Sequence, residues 1–334
     1  MESPFIEVHK RSGERLRRYL AEHGLLNRGA LIRSEGDKLQ IPITREPDGH
    51  EVEEIREITG HEPVVKIGEF NESQRQRKIE DILGFNPSFE VIGDIAVMSP
   101  PDKIPVKEAA EAILAIHKGI KTVVIPTGPV SGDWRVRPFE WVAGEPIHEV
   151  CVREYGMRFR LDIERVYFSP RLATERHRVA TQVRPHELVV DMFAGVGPFT
   201  VSLAKRAKKV IAIDKNPYAI RYLKENLSLN RIENVEVREG DVREVTSDLI
   251  RLADRVIMNL PLHAFEFLPL AVKIAKPGGI IHYYDITGEE DLFDSLLRRI
   301  RDAIGEVKVL NRRVVRSYAP RLYNVVLDIA IMED

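Results

Sequence analysis

The 334-residue chain has a single cysteine, Cys151. That excludes a disulfide framework and a cysteine-cluster metal site, and it suits a reducing compartment, so the cytoplasm is the expected location. No apolar run approaches the roughly 20 residues needed to cross a bilayer, so no membrane partner is expected. The opening MESPFIEVHKRSGER lacks the apolar segment of a secretory leader. Net charge is also nearly absent: 50 basic against 52 acidic side chains leave −2. Any nucleic-acid surface must therefore be local. No repeat of fixed period is visible, and no visible ligand cluster calls for a metal. What remains is an ordinary globular balance, 43% hydrophobic, with a length that suggests two or three domains.

The most informative stretch is Val189-Val190-Asp191-Met192-Phe193-Ala194-Gly195-Val196-Gly197-Pro198-Phe199. An apolar run ends in an acid, a glycine turn follows, and a helical pattern begins. This reads as strand, tight turn, helix. Gly195 and Gly197 permit backbone angles that a Cβ resists, and a close approach to a bound molecule. A helix N-terminus then faces that molecule.

Taken in order, residues 1–66 read as a small α/β module. Ser12 is placed to cap a helix ending near Gly24, with Leu16, Tyr19 and Leu20 on one face. Residues 39–43 read as a strand and 52–58 as a second helix. Lys10, Arg11, Arg15, Arg17 and Arg18 make the first helix basic, either as a solvated face or as a phosphate-contacting one. Residues 67–88 are polar without an apolar period and read as a flexible linker. Residues 89–180 form a middle α/β unit, with a strand-and-turn pattern at 89–97, a helix at 107–118 and further strands reaching Pro170. From 181 to 334, strands and helices alternate, and the final two strands have no helix between them. The expected fold is α/β: a mostly parallel Rossmann-like sheet with an antiparallel strand at its edge, preceded by the two smaller units.

Ligands of such sheets bind beyond the C-terminal strand ends. Those ends carry Asp191 with the glycine turn, then Asp214, suited to ribose hydroxyls, then Gly240-Asp241-Val242, suited to an adenine amino group, then Asn259-Leu260-Pro261. A nicotinamide cofactor shares the second acid but requires a third glycine, which Gly195-Val196-Gly197-Pro198-Phe199-Thr200 lacks.

Residues 187–332 resemble the class I S-adenosylmethionine-dependent methyltransferases. That likeness implies S-adenosylmethionine as cofactor. The turn would hold its methionine moiety, and Asp214 and Asp241 its ribose and adenine, with Phe193, Lys215 and Val242 beside them. Asn259-Leu260-Pro261-Leu262 departs from the Asn-Pro-Pro-Tyr motif of amino-methylating members, which argues against an exocyclic-amine acceptor. A second stretch, Arg165-Val166-Tyr167-Phe168-Ser169-Pro170-Arg171-Leu172-Ala173-Thr174-Glu175-Arg176-His177-Arg178, packs four arginines around one carboxylate and one tyrosine. It reads as a salt-bridged helix entrance or as a nucleic-acid site, where arginines neutralise phosphates and a ring stacks a splayed base.

Together, Phe168 to Leu172, Glu175-Arg176, the glycine turn and Asn259-Leu260-Pro261 resemble the archaeal and eukaryotic tRNA (guanine-37-N1)-methyltransferases, and the likeness to archaeal members covers nearly the whole chain. It implies a monomer that methylates N1 of guanosine 37 in the tRNA anticodon loop. Glu175 would be the general base beside the donor methyl, and Arg135 (or its neighbour Arg137) would stabilise charge on guanine O6. Asn259 would hold the base edge and Pro261 shape the floor, while Arg176 would contact cofactor. Tyr167, Arg171, Arg316 and Tyr318 would contact tRNA, and the N-terminal module would read the outer corner. Alternatives are a tricyclic wyosine-pathway acceptor, guanine N2, or a non-catalytic RNA-binding protein.

Overall fold

The computed structural model describes residues 1–72, 78–129, 132, 134 and 136–332. It divides into two units, Met1–Ile82 and Leu83–Asp334.

In the first unit, β1 (Glu2–His9) runs straight into α1 (Lys10–Glu22). The helix begins earlier than Ser12 suggests. His9 is the cap, its Nδ1 accepting from the Arg11 amide at 3.2 Å. The strands β2 (Arg33–Glu35) and β3 (Lys38–Pro42) precede α2 (Gly49–Thr59), and β4 (Val65–Glu69) follows it. Asp48 caps α2 reciprocally with Glu51. The sheet order is β2-β3-β1-β4, so the N-terminal strand is central rather than a lead-in. Its Ile6 and Val8 pack with Leu16, Leu20, Ile41 and Ile55. Two features depart from the linker expected at 67–88: β4 extends into it, paired with β1, and α3 (Ile79–Leu83) lies within it. Residues 73–77 of that stretch lie outside the described residues. The α1 basic face is exposed at Lys10, Arg11, Arg15 and Arg18, whereas Arg17 is forked onto Glu14 at 2.8 and 2.7 Å.

The second unit begins with β5 (Phe89–Ile92), β6 (Ile95–Met98), α4 (Val106–Ile116), β7 (Thr122–Pro126) and β8 (Phe139–Gly144), a four-stranded sheet in that order. The hairpin β9 (Glu149–Glu154) and β10 (Met157–Asp162) follows. Residues 166–169 form a loop rather than the continuing strand that their apolar content suggests, and a single 3-10 turn, Pro170–Leu172, leads into α5 (Ala173–Gln182).

The large sheet comprises β11 (Leu188–Asp191), β12 (Lys209–Asp214), β13 (Val235–Glu239), β14 (Ala253–Met258), β15 (Ala275–Gly288), β16 (Val307–Ala319) and β17 (Leu322–Ile331). Helices α6 (Pro198–Ala204), α7 (Pro217–Leu229), α8 (Ala264–Ile274) and α9 (Asp294–Ile304) connect its strands. The order is β13-β12-β11-β14-β15-β17-β16. The first five strands are parallel, and β17 runs antiparallel between β15 and β16, as the helix-free final pair requires.

The hairpin, expected with the middle unit, packs on α7. Fully buried Asn226 does this: its amide donates to the Arg160 carbonyl at 3.0 Å and to the Val196 carbonyl at 2.9 Å, and its oxygen accepts from the Arg160 amide at 2.7 Å. One side chain thus ties the hairpin to the glycine turn. Among the described residues, no helix is long and apolar enough to cross a membrane, and no group of His, Cys, Asp and Glu could hold a metal.

Candidate active site

Where β11 ends, Gly195 and Gly197 adopt φ of +56° and +88°. Space matters at the second: a Cβ there would lie 2.4 Å from Leu223 Cδ1. Asp191 is buried beneath the turn, one oxygen accepting from Thr200 Oγ1 at 2.8 Å and the other unpartnered. Burial, with the nearby charge of Asp214, pushes its pKa up to about 7. Asp214 accepts from the Gly195 amide at 2.7 Å and the Asn216 amide at 2.9 Å, which aims the acid at the turn. Burial also raises its pKa. Asp241 differs: the Arg243 guanidinium forks onto both oxygens at 2.9 and 2.6 Å and lowers its pKa to about 2. It is a fixed carboxylate.

These strand ends open into a cavity of about 350 Å³. One part of its wall carries Phe193, Gly195, Asp214, Lys215, Asp241 and Val242; another carries Asn259, Pro261, Tyr167, Arg176, Arg316 and Tyr318. Twelve of the sequence-derived candidates therefore meet there, counting Asn259 once. Phe193 stands edge-on to Phe267 with centroids 5.1 Å apart. After Asn259 the chain turns tightly. Leu262 takes φ +82°, a conformation that non-glycine residues seldom adopt outside tight turns and strained functional loops.

Other candidates stand elsewhere. Asp191 and Gly197 support the turn from behind without lining the cavity. Arg171 and Arg137 line a second cavity of about 520 Å³, which shares Tyr167, Phe168, Ser169, Arg316 and Tyr318 with the first. Arg171 pairs with Glu90 at 3.2 Å, and Arg137 donates to the Gly128 carbonyl at 2.9 Å. Arg135 lies outside the described residues.

Two candidates are fixed by partners from distant parts of the chain. Arg176 lines the cavity yet is 1% exposed, forked onto Glu154 at 2.9 and 2.6 Å, bonded to the Ser169 carbonyl at 3.0 Å and set over the Phe168 ring at 5.2 Å. It is first a clasp between α5 and the β9–β10 hairpin, and removing one partner of such a buried pair costs about 3–5 kcal/mol. Glu175 does not line the cavity, although Leu172 and Arg176 on either side of it do. Its carboxylate accepts from Arg178 at 2.9 and 2.7 Å and from the Tyr284 hydroxyl at 2.8 Å, with Arg313 at 3.8 Å. The expectation of a base already facing the pocket is corrected: the carboxylate is drawn inward because Arg178 is itself anchored. Arg178 also forks onto Asp328 at 2.6 and 3.1 Å, and Asp328 accepts from His282 at 2.6 Å and Asn311 at 3.2 Å. Despite the upward push of burial, His282 and Arg178 hold Asp328 below the usual carboxylate range.

Sequence reasoning missed Asn324, a cavity-lining residue that is 1% exposed. Its signal is a lone amide in the mostly apolar run LYNVVLDIAI, whose one charged residue is Asp328.

A model of the TRM5/TYW2 methyltransferase domain matches residues 150–311, and models of the tRNA methyltransferase 5 and TYW2 N-terminal domains match 6–52 and 76–147. The tRNA (guanine(37)-N(1))-methyltransferase Trm5b of Pyrococcus abyssi is 42% identical over 98% of both chains. The chain belongs to the Trm5 family of tRNA methyltransferases. The P. abyssi Trm5b crystal structure superposes with a TM-score of 0.77, covering 99% of each chain at 39% identity. The Trm5b of Methanocaldococcus jannaschii is 38% identical over 98% of both chains. A structure described as the complex of aTrm5 and tRNALeu matches with a TM-score of 0.74 at 35% identity, covering 98% of this chain and 99% of that one. Within the Trm5 frame, the methyltransferase-domain model begins inside the β9–β10 hairpin, the element that Asn226 fastens to α7.

Proposed function

We propose that the chain transfers a methyl group from S-adenosylmethionine to N1 of guanosine 37 in tRNA. The observation that carries this reading is the single cavity running from Gly195, Asp214 and Asp241 to Asn259, Pro261 and Tyr167, in a chain that matches Trm5 relatives nearly end to end. The lining suits the cofactor. Asp214 offers acceptors to a vicinal diol, Asp241 is kept ionised by Arg243 for an amino group, and Phe193 and Val242 offer apolar faces to a purine. S-adenosylmethionine supplies an electrophilic methyl on a sulfonium.

Guanine N1 carries a proton that must leave as the new bond forms. The acids lining the cavity, Asp214, Asp241 and Glu266, stand at the ends of β12 and β13 and on α8. Glu175, set between Leu172 of the 3-10 turn and Arg176 of α5, both of which line the cavity, is the carboxylate available to the acceptor. It takes the N1 proton after its side chain turns from Arg178, which stays anchored on Asp328. Asn259 orients the base edge, Pro261 forms the floor, and Arg135 or Arg137 offsets charge on O6. Arg176 acts by holding the hairpin against α5. Tyr167 stacks on the base, and Arg171, Arg316 and Tyr318 meet the anticodon loop. The N-terminal unit reads the outer corner of tRNA through the exposed arginines of α1. The enzyme acts as a cytoplasmic monomer.

Nucleoside mass spectrometry of a transcript methylated in vitro tests the reading. It should give 1-methylguanosine; N2-methylguanosine, or no methylated nucleoside, would overturn it.

A further inference from the structure

Asn324 is interior, polar and unsatisfied. It is 1% exposed, it lines the cavity, and its Oδ1 has no hydrogen-bond partner. Directly across the β16–β17 register stands Arg316, which lines the same cavity and whose buried Nε–H also has no partner. Each unmet group carries an uncompensated desolvation cost. Here an orphan acceptor and an orphan donor sit side by side in a cavity wall without bonding each other. That arrangement is complementary to a guest.

Their place in the sheet says which guest. With the order β13-β12-β11-β14-β15-β17-β16, β17 lies four strands from β12 and Asp214, about 19 Å at ~4.8 Å per strand. A ribose held by Asp214 does not reach it. Asn259, at the end of β14, is two strands away, about 10 Å. Asn324 therefore serves the methyl acceptor rather than the cofactor. Among the oxygens of a nucleotide, one that both donates to Oδ1 and accepts from Nε–H is a hydroxyl. The N1 and O6 edge of guanine is engaged in the chemistry, and the hydroxyl that the same nucleotide offers beyond its base is on the ribose.

We propose that Asn324 and Arg316 form the receptor for the 2′-hydroxyl of the nucleotide being methylated. The hydroxyl donates to Asn324 Oδ1 and accepts from Arg316 Nε–H. The pocket thereby reads RNA against DNA at the reacting nucleotide itself. The inference rests on the guanosine reading of this cavity.

The test uses full-length enzyme and two tRNAs, one all-ribose and one with a single 2′-deoxyguanosine at position 37. Wild type should lose about tenfold in kcat/KM on the deoxy substrate, equivalent to ~1.4 kcal/mol. Asn324→Leu should lose a similar factor on the all-ribose tRNA and show no further loss on the deoxy one. Asn324→Asp keeps an acceptor and should keep the preference. Calorimetric binding of S-adenosylmethionine checks that each variant is folded. If the leucine variant fails that check, Arg316→Met takes its place, with the same collapse expected. Equal rates for wild type on both tRNAs, or a deoxy penalty that persists in the Leu or Met variant, would overturn the proposal. Failure of the all-ribose tRNA to yield 1-methylguanosine with wild type would instead overturn the underlying function.

Discussion

Glu175→Gln separates the chemical from the structural duty of this carboxylate. The side chain keeps its shape and loses its charge. One oxygen goes on accepting from the Tyr284 hydroxyl and Arg178 Nη2, now 2.8 and 2.7 Å away. The new NH2 faces Arg178 Nε–H, now 2.9 Å from Oε2, so donor meets donor. Arg178 still has its fork on Asp328. The structural loss is therefore one charge-assisted hydrogen bond, about 1.5–3 kcal/mol, below the full cost of a stranded buried ion. At about 2–4 °C per kcal/mol for a domain of this size, the melting temperature should fall by several degrees and the enzyme stay folded. The catalytic loss is larger, because a positioned general base contributes about 10²–10⁴-fold. Single-turnover methylation of a G37 transcript should slow by about a hundredfold or more. Calorimetry should show unchanged cofactor affinity, since Glu175 does not line the cavity. Turnover within about threefold of wild type in the folded variant would refute the proton transfer assigned here.

Gly197→Ala forces a Cβ to 2.4 Å from Leu223 Cδ1 at φ +88°. Strain and overpacking should cost about 2–4 kcal/mol, read as a lower melting temperature with weakened cofactor binding; an unchanged melting temperature would contradict it. Asp328→Asn should destabilise the protein by about 3–5 kcal/mol near neutral pH, because Arg178 loses its anchor. The folded pKa of Asp328 is depressed. Its contribution is thus complete above the unfolded value of about 3.9 and drains away as pH falls below it. The gap between wild type and variant in denaturant titrations should narrow below that pH; a constant gap would sink the assignment. Arg171→Ala should raise KM for tRNA and reduce the salt slope of binding by about 0.7, with cofactor affinity intact. An unchanged slope would remove Arg171 from the phosphate contacts.

Much of the sheet domain was legible because its strands are buried apolar runs that end in acids. Asp191 and Asp214 mark both the strand ends and the ligand side, and the two glycines mark the turn between sheet and helix. The antiparallel edge followed from two final strands with no helix between them. Less visible was whatever depends on long-range pairing. β1 mixes proline, charge and apolar residues over eight positions, and only its two neighbours show that it is central. Asn226 reads as a surface polar residue of α7 until the hairpin packs on it. The i,i+3 pairing of Glu175 with Arg178 can be read along α5, but Tyr284 and Asp328, which fix its depth, come from strands more than 100 residues away. Asn324 carries no local motif at all, and its meaning lies in the unpaired atom across the register from Arg316.

Methyl transfer from labelled S-adenosylmethionine to two tRNA transcripts that differ only at position 37, guanosine in one and adenosine in the other, tests the central claim most directly. Label should enter the guanosine transcript alone and be recovered as 1-methylguanosine. Label in the adenosine transcript, or recovery as any other nucleoside, would contradict it.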